Sequence, residues 1–191
     1  MSEGNQHLRP RDGSEQPTTP VELFFDLVYV FAVTQLSHLV IDSGLSLVSV
    51  ARAGFLLLVV WWAWIYTTWM VNWFDPRSVP VRLVLVGGTL ASLLMSAAIP
   101  DALDGQGLLF AGAYVALQVG RNVAGALLLN RDHALKRTFE RIVTWSVLSG
   151  ILWLAGALAA SSLRYAFWGP ALAVDLVAPL VGYWTRGWAA R

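Results

Sequence analysis

The stretch TTPVELFFDLVYVFAVTQLSH, Thr18 to His38, decides how the rest of the chain is read. From Pro20 onward it is apolar enough, and at about 20 residues long enough, to cross a bilayer as a helix. Yet it carries Glu22 and Asp26 toward one end and His38 at the other. Thr19-Pro20-Val21-Glu22 reads as a helix start. Thr19 can cap, Pro20 suits the first helical position, and Glu22 falls where a capping box places its carboxylate. Asp26 has no such local role. It shares a helix face with Glu22, Tyr29 and Val33 and lies about 9 Å below Pro20 at helical rise. An unpaired carboxylate at that depth costs on the order of a few kcal/mol, so it calls for a partner or for water.

The remainder belongs to the same class. The chain is 57% hydrophobic and 13% charged, with a mean hydropathy of +0.58, against about a quarter charged in soluble domains. Six apolar segments follow one another at 20–40, 53–74, 81–99, 107–129, 142–160 and 164–184. Turn chemistry separates them: Asp75-Pro76 with Pro80, Pro100 with Asp101 to Gly107, the polar stretch Asn130 to Arg141, and Ser161-Ser162. The expected fold is all-α, a polytopic transmembrane bundle of about six spans, because an open sheet edge in hydrocarbon leaves backbone groups unsatisfied.

Residues 1–19, rich in Gly, Pro and Ser, read as a disordered polar tail, 20–185 as the six-helix domain and 186–191 as a short basic end. The first apolar run exceeds a signal-peptide core and lacks a small-residue cleavage site, so the first span is expected to stay in the mature protein. An even number of spans puts Arg9, Arg11, Arg77, Arg82, Arg131, Lys136, Arg137, Arg141, Arg186 and Arg191 on one side and Arg52 and Arg164 on the other. That asymmetry places both termini in the cytoplasm. Trp61, Trp62, Trp168, Trp184 and Trp188, near segment ends, suit an interfacial belt. The stripe Trp62, Tyr66, Trp69 and Trp73 reads as packing or lipid contact.

Several chemistries drop out. The chain has no cysteine, which removes disulfides and thiolate ligands. His7, His38 and His133 have no metal spacing, and His38, about 27 Å from Pro20, falls at the far interface. No cofactor motif and no nucleophile with an adjacent base is visible, so an enzyme is the weakest reading. With a net charge of +1 and no basic run, nothing points to nucleic acid. The partners that remain are the lipid bilayer and an ion or small polar solute.

Depth suggests where such a solute meets the chain. Arg121 lies about 12 Å from the end of the fourth segment and Asp175 about 13 Å from the end of the sixth, both on the side where Asp26 enters. Asp26, Arg121 and Asp175 are therefore expected to meet in one polar cluster, extended by Glu22, Asn72, Asp75 and Asn122. The spacing of Tyr114, Gln118, Arg121 and Gly125 gives the fourth helix a polar or small inner face, and Thr68, Asn72 and Asp75 form a similar stripe on the second. Gly169-Pro170 and Pro179 bracket Asp175, as in helices that break to expose backbone at an ion site and as in simple packing kinks. Such a cluster either handles a solute or is an ion pair that only fixes helix register.

TPVELFFDLVYVFAVTQLSH, WWAW running into NWFD (Trp61 to Trp64, Asn72 to Asp75), SAAIP at the end of the third segment and LAVDLVAP around Asp175 together resemble the low temperature requirement protein A family of bacterial multi-pass membrane proteins. The resemblance covers nearly the whole chain beyond the tail. It implies an all-helical protein of the bacterial inner membrane, linked by the family name to growth in the cold. Its motifs fall on Glu22, Asp26, Asn72, Asp75 and Asp175. Family members are typically longer, with a second group of spans carrying a histidine, a Glu-Arg pair and a Gly-Glu-Ser element. The chain is thus expected to work either with such a second half or as a homodimer. Two functions stay open: transport or conduction of an ion, proton or small polar solute, and a structural or regulatory role supporting growth in the cold.

Overall fold

The computed structural model describes residues 7–9, 18–130 and 134–183. The basic end 186–191, most of the 1–19 tail, His133, Trp184 and Trp188 lie outside the described residues. The order of elements is α1 Pro20–Asp42, α2 Leu47–Trp73, α3 Val79–Ala97, α4 Gly107–Leu128, α5 Ala134–Leu158 and α6 Arg164–Leu180. Short 3₁₀ turns at Ile99–Asp101 and Ser161–Leu163 precede α4 and α6. Among the described residues the sole β pairing is an antiparallel bridge between Leu8 and Phe74.

Helices α1, α2, α3 and the Leu135–Leu158 stretch of α5 are long and apolar enough to cross a membrane. The other two are the helices that carry buried charge. Helix α4 contains Gln118, Arg121 and Asn122, and α6 is 17 residues long with Asp175 inside it. Outward faces are apolar, with Leu23, Phe24 and Leu27 of α1 and Leu83, Val86 and Leu90 of α3 exposed, while Ser92, Gln118, Arg121, Asn122, Ser149 and Asp175 are buried. Polar inside and apolar outside is the reverse of a water-soluble surface, and it fits a lipid surround.

Helix α4 sits between α3 and α5; α5 carries α6, and α3 carries α1. Glycines set the close approach of α4 and α5: a Cβ on Gly125 would lie 2.5 Å from Phe139 Cε1, and one on Gly150 would lie 3.1 Å from Val115. Small residues let backbones approach where no hydrophobic effect drives helices together. Helix α2 packs on α1 and is linked to the rest by rings, with Phe55 against Trp153 at 6.3 Å and Trp69 against Phe139 at 5.5 Å. A second core of Met70, Phe74, Val81, Leu129 and Phe139 closes the end of the bundle where α1 begins. Leu8 packs on it, Asp75 N donates to His7 O at 2.8 Å and Arg9 N to Trp73 O at 2.9 Å. The reading of 1–19 as an unstructured tail therefore does not extend to residues 7–9.

Other expectations shift for local reasons. Helix α2 starts at Leu47 rather than 53 because Ser46 and Ser49 form a reciprocal capping box, each backbone N–H donating to the other's hydroxyl at 3.1 Å. Arg52 thereby becomes helical, and Trp61 and Trp62 move to mid-helix, away from an interfacial belt. Trp168 is fully buried and donates to Trp153 O at 2.9 Å, so it is core. Helix α5 starts at Ala134 rather than 142, burying Phe139 and Ile142 while Arg137 stays exposed. Helix α6 runs unbroken through Pro170 and Pro179, so no backbone opens beside Asp175. It ends at Leu180 rather than 184, where Gly182 (φ +62°) and Tyr183 (φ +52°) turn the chain back.

Candidate functional site

Helix α4 organises the polar interior. Tyr114, Gln118, Arg121 and Gly125 recur at three- and four-residue intervals and all four are buried, as a single inward stripe requires. The stripe serves two charges separately. Asp175 of α6 is 6% exposed, and its Oδ2 accepts from Tyr114 Oη at 2.9 Å, Trp153 Nε1 at 3.1 Å and Gln118 Nε2 at 3.3 Å. Donors on α4 and α5 thus converge on one carboxylate oxygen of α6, which is how a buried anion is tolerated.

Arg121, about a turn further along α4, is 3% exposed. Its Nη1 donates to Ala63 O at 3.1 Å and to Thr67 Oγ1 at 2.8 Å on α2. Its guanidinium lies 5.5 Å from the centroid of the Tyr66 ring. The Nε and Nη2 groups are buried without a hydrogen-bond partner among the described residues. Four tyrosines lie within electrostatic reach of this cation: Tyr29, Tyr114, Tyr66 and Tyr183. Tyr29 is buried and shares a 3.0 Å hydrogen bond with Ser92 of α3, and the hydroxyls of Tyr66 and Tyr183 are in contact. Arg121 and Asp175 make no ion pair with each other; Arg9 pairs with Glu22.

The seven residues named from sequence therefore separate. Arg121, Asp175 and Asn122 are interior, with Asn122 Nδ2 donating to Ser146 Oγ at 2.9 Å across the α4–α5 contact. Glu22 is the capping residue its motif suggested: its Oε2 accepts from Thr19 N at 2.7 Å and Thr19 Oγ1 at 2.8 Å, and its Oε1 pairs with Arg9. Asp26 does not join Arg121 or Asp175. It is exposed on the outer side of α1, accepts from Trp64 Nε1 at 2.8 Å, and borders a groove of about 550 Å³ between α1 and α2. Depth alone put the three charges together; the direction each side chain takes from its helix separates Asp26 from the others.

Asn72 is exposed, and Thr68 folds back onto Trp64 O at 3.0 Å, so that stripe is not an inner face. The inward hydroxyl of α2 is Thr67, one residue earlier. Asp75 holds a turn, its Oδ1 accepting from Arg77 N at 2.9 Å. Sequence reading missed Thr67, Trp153 and the Tyr29–Ser92 pair, because a lone Thr, Trp or Ser in an apolar run gives no periodic signal. It also missed Arg164, a loop cation by position, which is buried and donates to Asp104 O at 2.6 Å, Ala102 O at 3.2 Å and Gly156 O at 3.4 Å.

Comparison with known proteins bears on this arrangement. The model of the family described as bacterial low temperature requirement A protein matches residues 17–191. The chain belongs to the low temperature requirement A family. A family relative in Rhizobium meliloti (strain 1021), described as uncharacterized, is 39% identical over 186 residues, 96% of this chain. That match spans 45% of the relative's own length. No solved structure matches the chain. Membership of this family and the apolar helices make the chain a membrane protein.

Proposed function

We propose that the chain forms all or part of a membrane transporter or channel in which a proton, an ion or a small polar solute passes through the interior around Arg121 and Asp175. In this reading all six helices cross the bacterial cell membrane and both termini face the cytoplasm, as the ten-to-two distribution of basic residues favours. The observation that carries it is a guanidinium 3% exposed, with Nε and Nη2 unpartnered, inside an apolar bundle. Ionisable groups at membrane depth are costly, and those that persist usually mark a pathway.

The test uses the protein at the length its cell makes, extracted from the membrane fraction and reconstituted into liposomes. Flux of protons, cations or anions above that of empty liposomes, abolished by Asp175→Asn, is the expected result. No flux for any of them sinks the transport reading. Crosslinking of the same preparation decides between a second copy and further spans as the partner of this bundle.

A second reading has its own support. The polar contacts tie α4 to α2, α5 and α6, and α1 to α3, which is what a structural or regulatory bundle supporting growth in the cold needs. On that reading Asp175→Asn lowers the unfolding temperature and leaves permeability at the background level.

A further inference from the structure

We infer that the free edge of Arg121 is a binding site for a small carboxylate, entered through the Tyr66–Tyr183 pair. Nε and Nη2 form one side of the guanidinium and project two roughly parallel N–H groups. That spacing matches the two oxygens of a carboxylate, which a guanidinium takes in bidentate fashion. Both groups are buried and unpartnered. Neither nearby acid pairs with it: Asp175 Oδ2 accepts from Tyr114, Trp153 and Gln118, and Asp26 faces outward to Trp64.

Tyr66 links this arginine to a pocket. A pocket of about 400 Å³ between α2, α5 and α6 is lined by Trp62, Tyr66, Trp69, Ile142, Pro179 and Tyr183. This is within the size range of small-ligand sites. Tyr66 is part of its wall, and the Arg121 guanidinium lies 5.5 Å from the centroid of that ring. The Tyr66 and Tyr183 hydroxyls touch across the wall. Tyr183 stands in the left-handed region, next to Gly182, just past the end of α6. A non-glycine residue there costs on the order of 1 kcal/mol and is found where surroundings hold it, and the hydroxyl contact with Tyr66 is one such hold. The pocket is apolar apart from its phenols and Thr138, which suits a carboxylate with a short apolar tail.

This inference deepens the transport reading by naming the solute class and rests on it only for passage; binding is measured without flux. The experiment titrates sodium butyrate into the full-length protein in detergent and follows tryptophan fluorescence, since Trp62 and Trp69 line the pocket. Butyramide and sodium chloride at matched ionic strength are the controls. A saturable response to butyrate alone is expected. Arg121→Lys keeps the charge and loses the fork, and should weaken it at least about tenfold, the equivalent of one charge-assisted hydrogen bond. Asn72→Ala, on the exposed side of α2, should keep the response. No saturable response in the wild type, an equal response to butyramide or chloride, or an unchanged affinity in a folded Arg121→Lys would each overturn the site. Flux of protons without butyrate binding overturns this inference and leaves the transport reading standing.

Discussion

Among the described residues two arginines are buried, one toward each end of the bundle, and they differ in a way that separates holding from binding. Arg164 and Arg121 are 5% and 3% exposed, and each lies 5.5 Å from an aromatic centroid, Trp168 and Tyr66 respectively. Neither has a carboxylate partner among the described residues. Arg164 spreads its donors over three carbonyls, of Ala102, Asp104 and Gly156, and so closes the turn before α4 onto the start of α6. Arg121 uses Nη1 alone and leaves Nε and Nη2 unmet. The first is a satisfied staple. The second keeps donors in reserve, and a buried donor without an acceptor calls for an explanation, of which an incoming acceptor is one.

The comparison breaks first if Arg164 proves dispensable. Arg164→Ala removes hydrogen bonds from a charged group, each worth about 1.5–3 kcal/mol, and opens space beside Trp168. A loss of about 4 kcal/mol is expected, read as a steep drop in the thermal unfolding temperature of the protein in detergent. Unfolding at the wild-type temperature would show that the turn is held by other means. Next in size is Asp175→Leu, which strands Tyr114 Oη, Trp153 Nε1 and Gln118 Nε2 in the core. A loss of about 3 kcal/mol is expected, and Asp175→Asn, able to keep an acceptor in place, should lose clearly less. Equal losses for the two would mean that the charge, and not the acceptor, is what the three donors need. Gly125→Ala should cost about 2 kcal/mol by overpacking, since its Cβ would lie 2.5 Å from Phe139. The paired control is Gly112→Ala, which has open space at that position and should unfold as the wild type does.

Much of this arrangement was readable from the residues, and the parts that were not have a common cause. The six helices follow from apolar runs and from Thr19 and Glu22, whose capping contacts are local in sequence. The inward stripe of α4 follows from the spacing of Tyr114, Gln118 and Arg121 along one helix. What a helix faces is a different matter. Depth arithmetic gave Asp26 the same level as Arg121 and Asp175, but rotation about the helix axis sets direction, and α1 turns Asp26 toward Trp64 and the outer groove. An apolar run with lipid on one side and protein on the other shows almost no periodic difference between its faces, so α1 offers no stripe from which rotation could be read. Arg164 was hidden for the opposite reason: its partners are backbone carbonyls, which every residue has and no sequence pattern marks.

The sharpest test of the contrast is also the one with the smallest expected effect on stability. Arg121→Met keeps a long unbranched side chain and removes the cation. Its loss strands nothing on α2, because Thr67 Oγ1 already donates to Ala63 O at 2.9 Å, so the two groups that Arg121 contacts still satisfy each other. Even a buried ion pair can be replaced by apolar residues of similar volume at no loss or with a gain of about 1–4 kcal/mol; Arg121 bears the desolvation cost with no carboxylate to offset it, so Arg121→Met should unfold at or above the wild-type temperature. The same replacement at Arg164 leaves Ala102 O, which is buried, without its donor, and should destabilise. If both variants fall together, Arg121 is a second staple and its free edge is incidental. If they part, with Arg121→Met stable and unresponsive to butyrate, the chain retains at Arg121 a charge that its fold does not need.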